Sequence, residues 1–448
     1  MSPVQVVLVD LDREVPAIAA SRYAAALVFA VRAGRLVGQV YVDLPVTGPE
    51  LAALLGGATH AGPGMDPGMD PGMDPGAGPV AGRAEGPVAD PVAGSAAVSR
   101  LDDARLPFVS VVLPTLFARD ALRDAVKSLC ALDYPHFEVI VVDNRPEGTR
   151  DERDWARLDT DPRVRVLAEP RPGISAARNA GIRAAGGELI AFTDDDVEVD
   201  SGWLRAIAGR FLAEPDVDCV TGPVLPKELE TPAQLYFERY GFGRARTYRP
   251  TSYHKVGWFR VHDADERPVG WLYQLGPYGT GANMAFRASV LADLGGFDEA
   301  LGAGTPTRAG EDIALFVRLL FVGRRLAVEP GGFVFHTHRR ADSELRQQIH
   351  GYGSGLTAML TALALADPRH LLGYVRIVPP ALAALLRRRW HGSKPPAPGL
   401  RRGLEPPAPG LPQGYEPPAG LARAHRCGLL HGPWDYLRSR NRMRRWNR

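Results

Sequence analysis

The stretch Phe192-Thr193-Asp194-Asp195-Asp196-Val197 sets three adjacent carboxylates directly after the apolar run Leu189-Ile190-Ala191. Isolated ions are costly to bury, so an apolar segment that ends this way reads as a buried strand delivering its charges to the carboxyl edge of a sheet. Oxygen-rich carboxylate sites suit Mg²⁺ or Mn²⁺, and such ions commonly share their coordination sphere with substrate phosphates. The chemistry implied is that of a nucleotide-dependent enzyme. Asp is also a favoured turn and N-cap residue, so a capped turn explains the same cluster taken alone.

The elements around the cluster must decide between these readings. At 448 residues, with 45% hydrophobic and 23% charged content, the chain is globular and long enough for two or three domains. A net charge of +2 argues against a globally basic nucleic-acid binder. Cys130, Cys219 and Cys427 form no CxxC pair, which indicates neither a disulfide framework nor a zinc site and fits a reducing, cytoplasmic compartment. Acidic residues at Asp10, Asp12 and Glu14 follow the first apolar run too closely for a signal peptide. No apolar stretch approaches the roughly 18 residues of a membrane-spanning helix.

Four regions follow from the pattern. Residues 1–56 form a small accessory α/β module, with strands at Val4 to Val9 and Leu36 to Val42 and a helix, or a helix leading into a strand, at Ala17 to Val31. Residues 57–105 form a flexible Gly/Pro/Ala-rich linker that includes a Gly-Met-Asp-Pro repeat at Gly64 to Pro75. Residues 106–344 alternate strands and helices. Phe108 to Leu113, Phe137 to Val142, Val164 to Ala168, Leu189 to Phe192 and Val217 to Thr221 are predicted strands, and a helix is predicted to start near Ser175 as its N-cap. Parallel βαβ units of this kind gather ligands beyond the carboxyl ends of their strands, where Pro114-Thr115 and Asp143-Asn144 fall. Residues 345–448 read as a helical, Pro-rich and basic extension with a helix at Gln347 to Ala366, an amphipathic stretch at Leu371 to Arg389 ending in Arg387-Arg388-Arg389-Trp390, a linker at Pro395 to Pro418 and an Arg-rich terminus. That terminus suits either a solvated tail or peripheral contact with an anionic membrane, and nothing else supports nucleic acid.

Four blocks in this order, Phe108-Val-Ser-Val-Val-Leu-Pro-Thr115, Phe137-Glu-Val-Ile-Val-Val-Asp-Asn144, Gly173-Ile-Ser-Ala-Ala-Arg-Asn-Ala-Gly181 and Phe192-Thr-Asp-Asp-Asp-Val197, resemble bacterial family 2 glycosyltransferases of the GT-A fold. Gly295-Gly-Phe-Asp298 followed by Gly310-Glu-Asp312 matches the acceptor side of the same family. The resemblance covers about Leu106 to Arg340. It implies a mixed, mostly parallel sheet with flanking helices, and a nucleoside-diphosphate sugar donor with uridine as the favoured base.

It also assigns roles. Pro114, Thr115 and Asp143 would hold the base and ribose, and Arg178, in the first turn of its helix, would reach a phosphate or pair with the acidic cluster. Asp194 and Asp196 are the outer carboxylates of a DxD signature. Asp194 would face ribose and metal, Asp196 would bind Mn²⁺ or Mg²⁺, and Asp195 would point elsewhere. His336 and His338, on one face of Phe333-Val-Phe-His-Thr-His338, are further candidate metal ligands. Asp312 would be the base of inverting transfer to a hydroxyl acceptor, with Glu311 on the acceptor side. Asn283, in Gly279-Thr-Gly-Ala-Asn283, would line the donor-sugar pocket. The resemblance leaves the acceptor open; the basic C-terminal tail, if it rests on an anionic membrane, suits a lipid-linked or cell-envelope acceptor. Aromatics between Glu228 and Gln274, including Tyr236, Phe237, Tyr240, Phe242, Trp258 and Trp271 with Arg239, Arg244 and Arg246, suit either sugar stacking or a packed insertion. A nucleotidyltransferase would carry a basic phosphate loop after its first strand, which Leu113-Pro-Thr-Leu116 lacks. A silent nucleotide-sugar-binding module would need neither the acidic cluster nor Asp312.

Overall fold

The computed structural model describes residues 3–58, 102–117, 119–150, 154–155, 158, 161–241, 246–273, 277–376 and 419–446. The Gly-Met-Asp-Pro repeat, the Arg387 to Trp390 run, the segment 395–418, Phe242 and Arg244 lie outside these residues.

The N-terminal module consists of β1 (Val4–Asp10), β2 (Ala25–Arg32), β3 (Arg35–Asp43) and α1 (Gly48–Ala58). Strands β1 and β2 pair in parallel, and β2 and β3 pair antiparallel. Of the helix, or helix leading into a strand, expected between Ala17 and Val31, only the strand is present among the described residues: β2 takes the second half of that stretch, and the helix follows β3 instead. The reason is that β2 is covered on both faces. Leu27, Phe29 and Val31 pack on Leu225, Leu229 and Phe333 of the following domain, while Ala26, Val28 and Ala30 pack with Leu51 and Leu55 of α1. A run buried on both sides loses the alternation that marks a strand in sequence.

The main domain contains β4 (Val109–Thr115), α2 (Arg119–Cys130), β5 (Phe137–Asp143), β6 (Val164–Ala168), α3 (Ile174–Ala184), β7 (Leu189–Phe192), β8 (Val197–Val199), α4 (Trp203–Ala213), β9 (Val217–Thr221), β10 (Val224–Pro226), α5 (Pro232–Tyr240) and β11 (Thr251–Val256). It continues through β12 (Arg260–Asp263), β13 (Pro268–Trp271), β14 (Met284–Arg287), α6 (Ala288–Leu294), α7 (Glu311–Phe321), β15 (Arg325–Val328) and β16 (Val334–His336). The large sheet has the order β13-β12-β11-β15-β9-β14-β7-β4-β5-β6. Strands β7, β4, β5 and β6 are parallel, β9 and β15 are parallel, and only β14, β11 and β13 run against the others. This is the expected mixed, mostly parallel α/β sheet. Every residue of β4 is buried, as a central parallel strand with helices on both faces requires.

A second sheet, β10-β16-β8, stands beside the acidic cluster. Its register sets Val197 opposite His336, and the Thr337 N–H donates to the Asp196 carbonyl (3.0 Å), so residues 140 positions apart in sequence become neighbours. Helix α3 begins at Ile174 with Gly173 as its N-cap. Ser175, expected to be the cap, lies inside the first turn, where its hydroxyl donates to the Leu301 carbonyl (2.7 Å).

Helices α8 (Asp342–Ala366) and α9 (Leu421–Trp446) lie against each other along a seam of small residues, Gly353, Ser354, Gly428 and Gly432 among them. A Cβ on Gly428 would stand 2.1 Å from the His350 carbonyl oxygen, so only glycine allows the backbones this close. Ser354 of α8 donates to Asp435 and Tyr436 donates to Asp298, both at 2.9 Å, which ties α9 to α8 and to the main domain. Much of the expected basic tail is therefore a packed helix.

Candidate active site

The acidic cluster leaves the carboxyl end of β7 in the middle of the sheet. Its three carboxylates have separate surroundings. Asp195 turns back to β4, accepting a 2.5 Å hydrogen bond from the Thr115 hydroxyl, which itself accepts from the Phe117 N–H. Burial, with Asp196 and Asp194 alongside, pushes the Asp195 carboxyl up to about 6. Thr115 is thereby committed to the cluster and Pro114 is buried in β4.

Asp194 faces Arg178, whose guanidinium is almost wholly buried. Arg178 donates to Asp194 (2.9 Å), Glu311 (2.9 Å) and the Gly281 carbonyl (3.1 Å), with its charge over the Phe297 ring. Of the two alternatives raised for Arg178, the structure shows pairing with the acidic cluster. Burial raises the Asp194 carboxyl, against the pull of Arg178. Burial and the adjacent Asp312 push Glu311 up to about 7, while Arg178 again pulls downward. One guanidinium thus serves a crowded set of acids.

Glu311 and Asp312 open helix α7, whose N-cap Gly310 has φ 96°. A side chain at Gly310 would also strike the Gly355 carbonyl of α8 at 2.6 Å, so glycine is required for α7 to start here. Asp312 accepts from the Gly281 N–H through Oδ2 and from the Ile313 N–H through Oδ1, both at 2.7 Å. The Gly279-Thr280-Gly281 turn therefore borders the acidic site.

Asn283 does not. Its amide donates to the Pro223 (3.0 Å) and Gly332 (2.7 Å) carbonyls, its oxygen accepts from the Trp203 indole (2.9 Å), and it has no exposed surface. The expectation that it lines a sugar pocket is corrected: with both amide hydrogens and its oxygen engaged in the core, it locks β14 to α4 and β10. Asp143 is also engaged. Arg145 clasps it at 2.8 Å, the Trp155 indole donates to it at 2.9 Å, and although burial alone would raise it, these partners hold its carboxyl below the usual range. Its neighbour Asn144 pins the 169–173 loop that leads into α3.

On the other side of the cluster, Asp196 Oδ1 lies 3.6 Å from His336 Nε2. Two ligands that each sit about 2.1 Å from one divalent ion are separated by at most roughly 4.2 Å, so this pair fits a shared ion. Burial pushes His336 down to about 4, which leaves it neutral and able to ligate. His338 does not fit as a ligand: its Nδ1 meets His336 Nδ1 (2.9 Å) and its Nε2 meets Glu238 (3.3 Å). Among the described residues, no group of three or more His, Cys, Asp or Glu side chains is gathered to hold a metal by itself. The pair fits a Mg²⁺- or Mn²⁺-type ion that completes its sphere with water and phosphate oxygens.

Sequence reading missed Glu238 and the partner role of Arg246, which form a fully buried ion pair at 2.7 Å behind His338. The available signal was weak: a glutamate inside the aromatic run Tyr236 to Tyr240 has no apolar reason to be there. Of the aromatics in that region, Phe237 is core, Trp258 is exposed and Trp271 stacks with Arg260.

Fold and site together define an α/β domain whose carboxylates, buried arginine and histidine pair converge on one sheet edge. Residues 110–295 match the description Glycosyl transferase family 2. A pre-mycofactocin glycosyltransferase of Mycobacterium tuberculosis is 31% identical over 54% of this chain and 44% of its own length. An O-antigen biosynthesis protein of Myxococcus xanthus is 30% identical over 53% of this chain and 18% of its own length. The chain thus spans less than half of either relative. A mannosyltransferase from Pyrobaculum calidifontis, solved with GDP-Man and Mn²⁺, aligns with a TM-score of 0.42 at 21% identity, covering 68% of this chain and 84% of that one.

Proposed function

We propose that the chain is an inverting, metal-dependent glycosyltransferase that moves a sugar from a nucleoside-diphosphate donor, a uridine nucleotide by preference, to a hydroxyl of a cell-envelope glycan or lipid-linked acceptor. The observation that carries this reading is the convergence of Asp194, Asp196, Arg178, Glu311, Asp312 and His336 from β7, α3, α7 and β16 on one sheet edge. The family match over residues 110–295 and the relatives' names support sugar transfer, and the O-antigen relative favours an envelope acceptor.

In this reading the base and ribose lie beyond the ends of β4 and β5, with Pro114 and Thr115 as buried support and Asp143 acting through the Arg145 and Trp155 that it holds. A Mg²⁺ or Mn²⁺ ion held by Asp196 and His336 would neutralise charge on the departing diphosphate. Asp194, fixed by Arg178, would face the ribose and the ion. The acceptor oxygen bonds to the anomeric carbon as the bond to the diphosphate oxygen breaks, and the hydroxyl proton passes to Asp312, whose carboxylate is oriented by the Gly281 N–H. Glu311 holds Arg178 and so shapes the acceptor side.

The cytoplasmic setting is in keeping with three unpaired cysteines, and no described helix is long and apolar enough to cross a membrane. Helix α9 exposes Leu430, Trp434 and Leu437 on one face, 81%, 66% and 40% accessible, with Arg426, Arg438 and Arg442 also exposed. An apolar stripe with arginine beside it suits the surface of an anionic bilayer, so peripheral contact is part of the proposal.

The test is donor turnover and thermal shift with nucleoside diphosphates, with and without Mn²⁺. Asp196→Asn is expected to abolish transfer and the Mn²⁺-dependent nucleotide shift, and Asp312→Asn to abolish transfer while keeping the shift. Wild-type turnover in either variant refutes its assignment.

A further inference from the structure

Behind His336 runs a continuous chain of buried polar groups that the proposed reaction does not use directly. His336 Nδ1 meets His338 Nδ1 at 2.9 Å, and His338 Nε2 meets Glu238 Oε2 at 3.3 Å. Glu238 is clasped by Arg246 at 2.7 and 3.2 Å. Arg246 also donates to the Val224 carbonyl (2.6 Å) and, through the same nitrogen that meets Glu238, to Gln39 Oε1 (2.8 Å), and its guanidinium lies 5.0 Å from the centre of the Phe29 ring. Gln39 and Phe29 belong to β3 and β2 of the N-terminal module. His338, Glu238 and Arg246 are each at most 4% exposed.

The donor rules give this chain a direction. A carboxylate paired with arginine only accepts, so His338 Nε2 carries a hydrogen and donates to Glu238. In a neutral His338 the Nδ1 then accepts, so His336 Nδ1 is the donor between the rings. That leaves the lone pair of His336 on Nε2, the atom 3.6 Å from the Asp196 carboxylate. The other oxygen of that carboxylate, Oδ2, lies 3.6 Å from the Arg339 guanidinium, and the two electron-rich atoms on either side of the gap, Asp196 Oδ1 and His336 Nε2, are complementary to a cation.

We propose that Glu238 is a positioning residue that fixes the tautomer and ring orientation of His336 through His338, and that the N-terminal module, through Gln39 and Phe29 on Arg246, completes this support. The proposal rests on reading Asp196 and His336 as a cation site. It gives the module a function: it is the outermost layer of the metal-ligand scaffold. Groups that orient a metal-bound histidine typically contribute about 10–100-fold to metal affinity.

The first test needs no variant. In the metal-free, ¹⁵N-histidine-labelled full chain, NMR is expected to show His336 protonated on Nδ1 and His338 protonated on Nε2 alone. A His336 protonated on Nε2, or a doubly protonated His338, overturns the proposal. Mn²⁺ titration by electron paramagnetic resonance then tests the consequence. Glu238→Gln is expected to bind Mn²⁺ about 10–100-fold more weakly, with metal-free nucleotide affinity unchanged, and wild-type Mn²⁺ affinity in the folded variant overturns the role of Glu238. Gln39→Ala, which leaves the buried ion pair intact and so keeps the test open if Glu238→Gln does not fold, is expected to weaken Mn²⁺ several-fold. An unchanged affinity there overturns the part assigned to the module. If the wild-type chain shows the expected tautomers but binds no Mn²⁺ with nucleotide, the cation reading of the site fails while the hydrogen-bonded chain stands.

Discussion

Replacing Arg178 with methionine tests the electrostatic logic of the site most directly. Arg178 is 1% exposed and is held by Asp194, Glu311 and the Gly281 carbonyl, with Asp312 close enough to influence it. Methionine keeps much of the volume and removes the charge, so these acids face each other without a counter-ion. Breaking a buried pair by deleting one partner costs about 3–5 kcal/mol. At about 2–4 °C per kcal/mol for a domain of this size, the melting temperature at pH 8 should fall by on the order of 10 °C. The pH dependence carries the diagnosis. Glu311 already sits at about 7 in the folded chain, above the ordinary 4.5, so it contributes stability below the ordinary carboxylate range that is lost as pH rises through about 7. Without Arg178 the folded pKa values of Glu311 and Asp194 move higher, the folded state binds more protons than the unfolded state, and the deficit widens as pH rises. Melting curves of wild type and variant between about pH 5 and pH 8 should therefore lie closest at the acid end. A deficit that is the same across that range, or no deficit at pH 8, refutes the account. Arg178→Lys should fall between the two, because an ammonium keeps the charge but cannot fork to both carboxylates.

Two further outcomes follow from the geometry. Asn283→Ala strands the Trp203 indole N–H and the Pro223 and Gly332 carbonyls in the core, which should cost about 3 kcal/mol, while the KM for donor in folded protein stays at the wild-type value; a raised KM with unchanged melting temperature would restore Asn283 to the sugar pocket. The full chain should co-sediment with vesicles containing an anionic phospholipid and not with neutral ones, and the double variant Leu430→Glu, Trp434→Glu should lose most of that binding. Equal sedimentation of the variant would remove α9 as the contact.

How much of this was legible beforehand differs by element. Strands β4 to β7 and β9 could be read because each is a short apolar run ending in turn or polar residues, and the alternation with helices makes a parallel sheet the simple solution. Strand β2 could be read only as one of two alternatives, since burial on both faces erases its period. The identity of Ser175 misled because a good capping residue two positions past the cap looks the same in sequence as one at the cap.

The sequence by itself determined that an acidic strand end, a nucleotide-pocket-like pair of strand ends, an acidic helix start and a His-Thr-His segment lie in one domain, because each is a local pattern of residue types. Only the tertiary structure decided the division of labour among them. Asp194 is neutralised by Arg178, Asp195 is returned to Thr115, Asp196 is left facing His336, and Asn283 is consumed by the core. The physical reason is that these partners are set by sheet register and helix packing across separations of up to 140 residues, and hydrogen-bond capacity spent on one neighbour is not available to another. The same holds for the support behind His336, where Glu238, Arg246 and Gln39 share no motif and become one chain only when β3 docks beside α5 and β10.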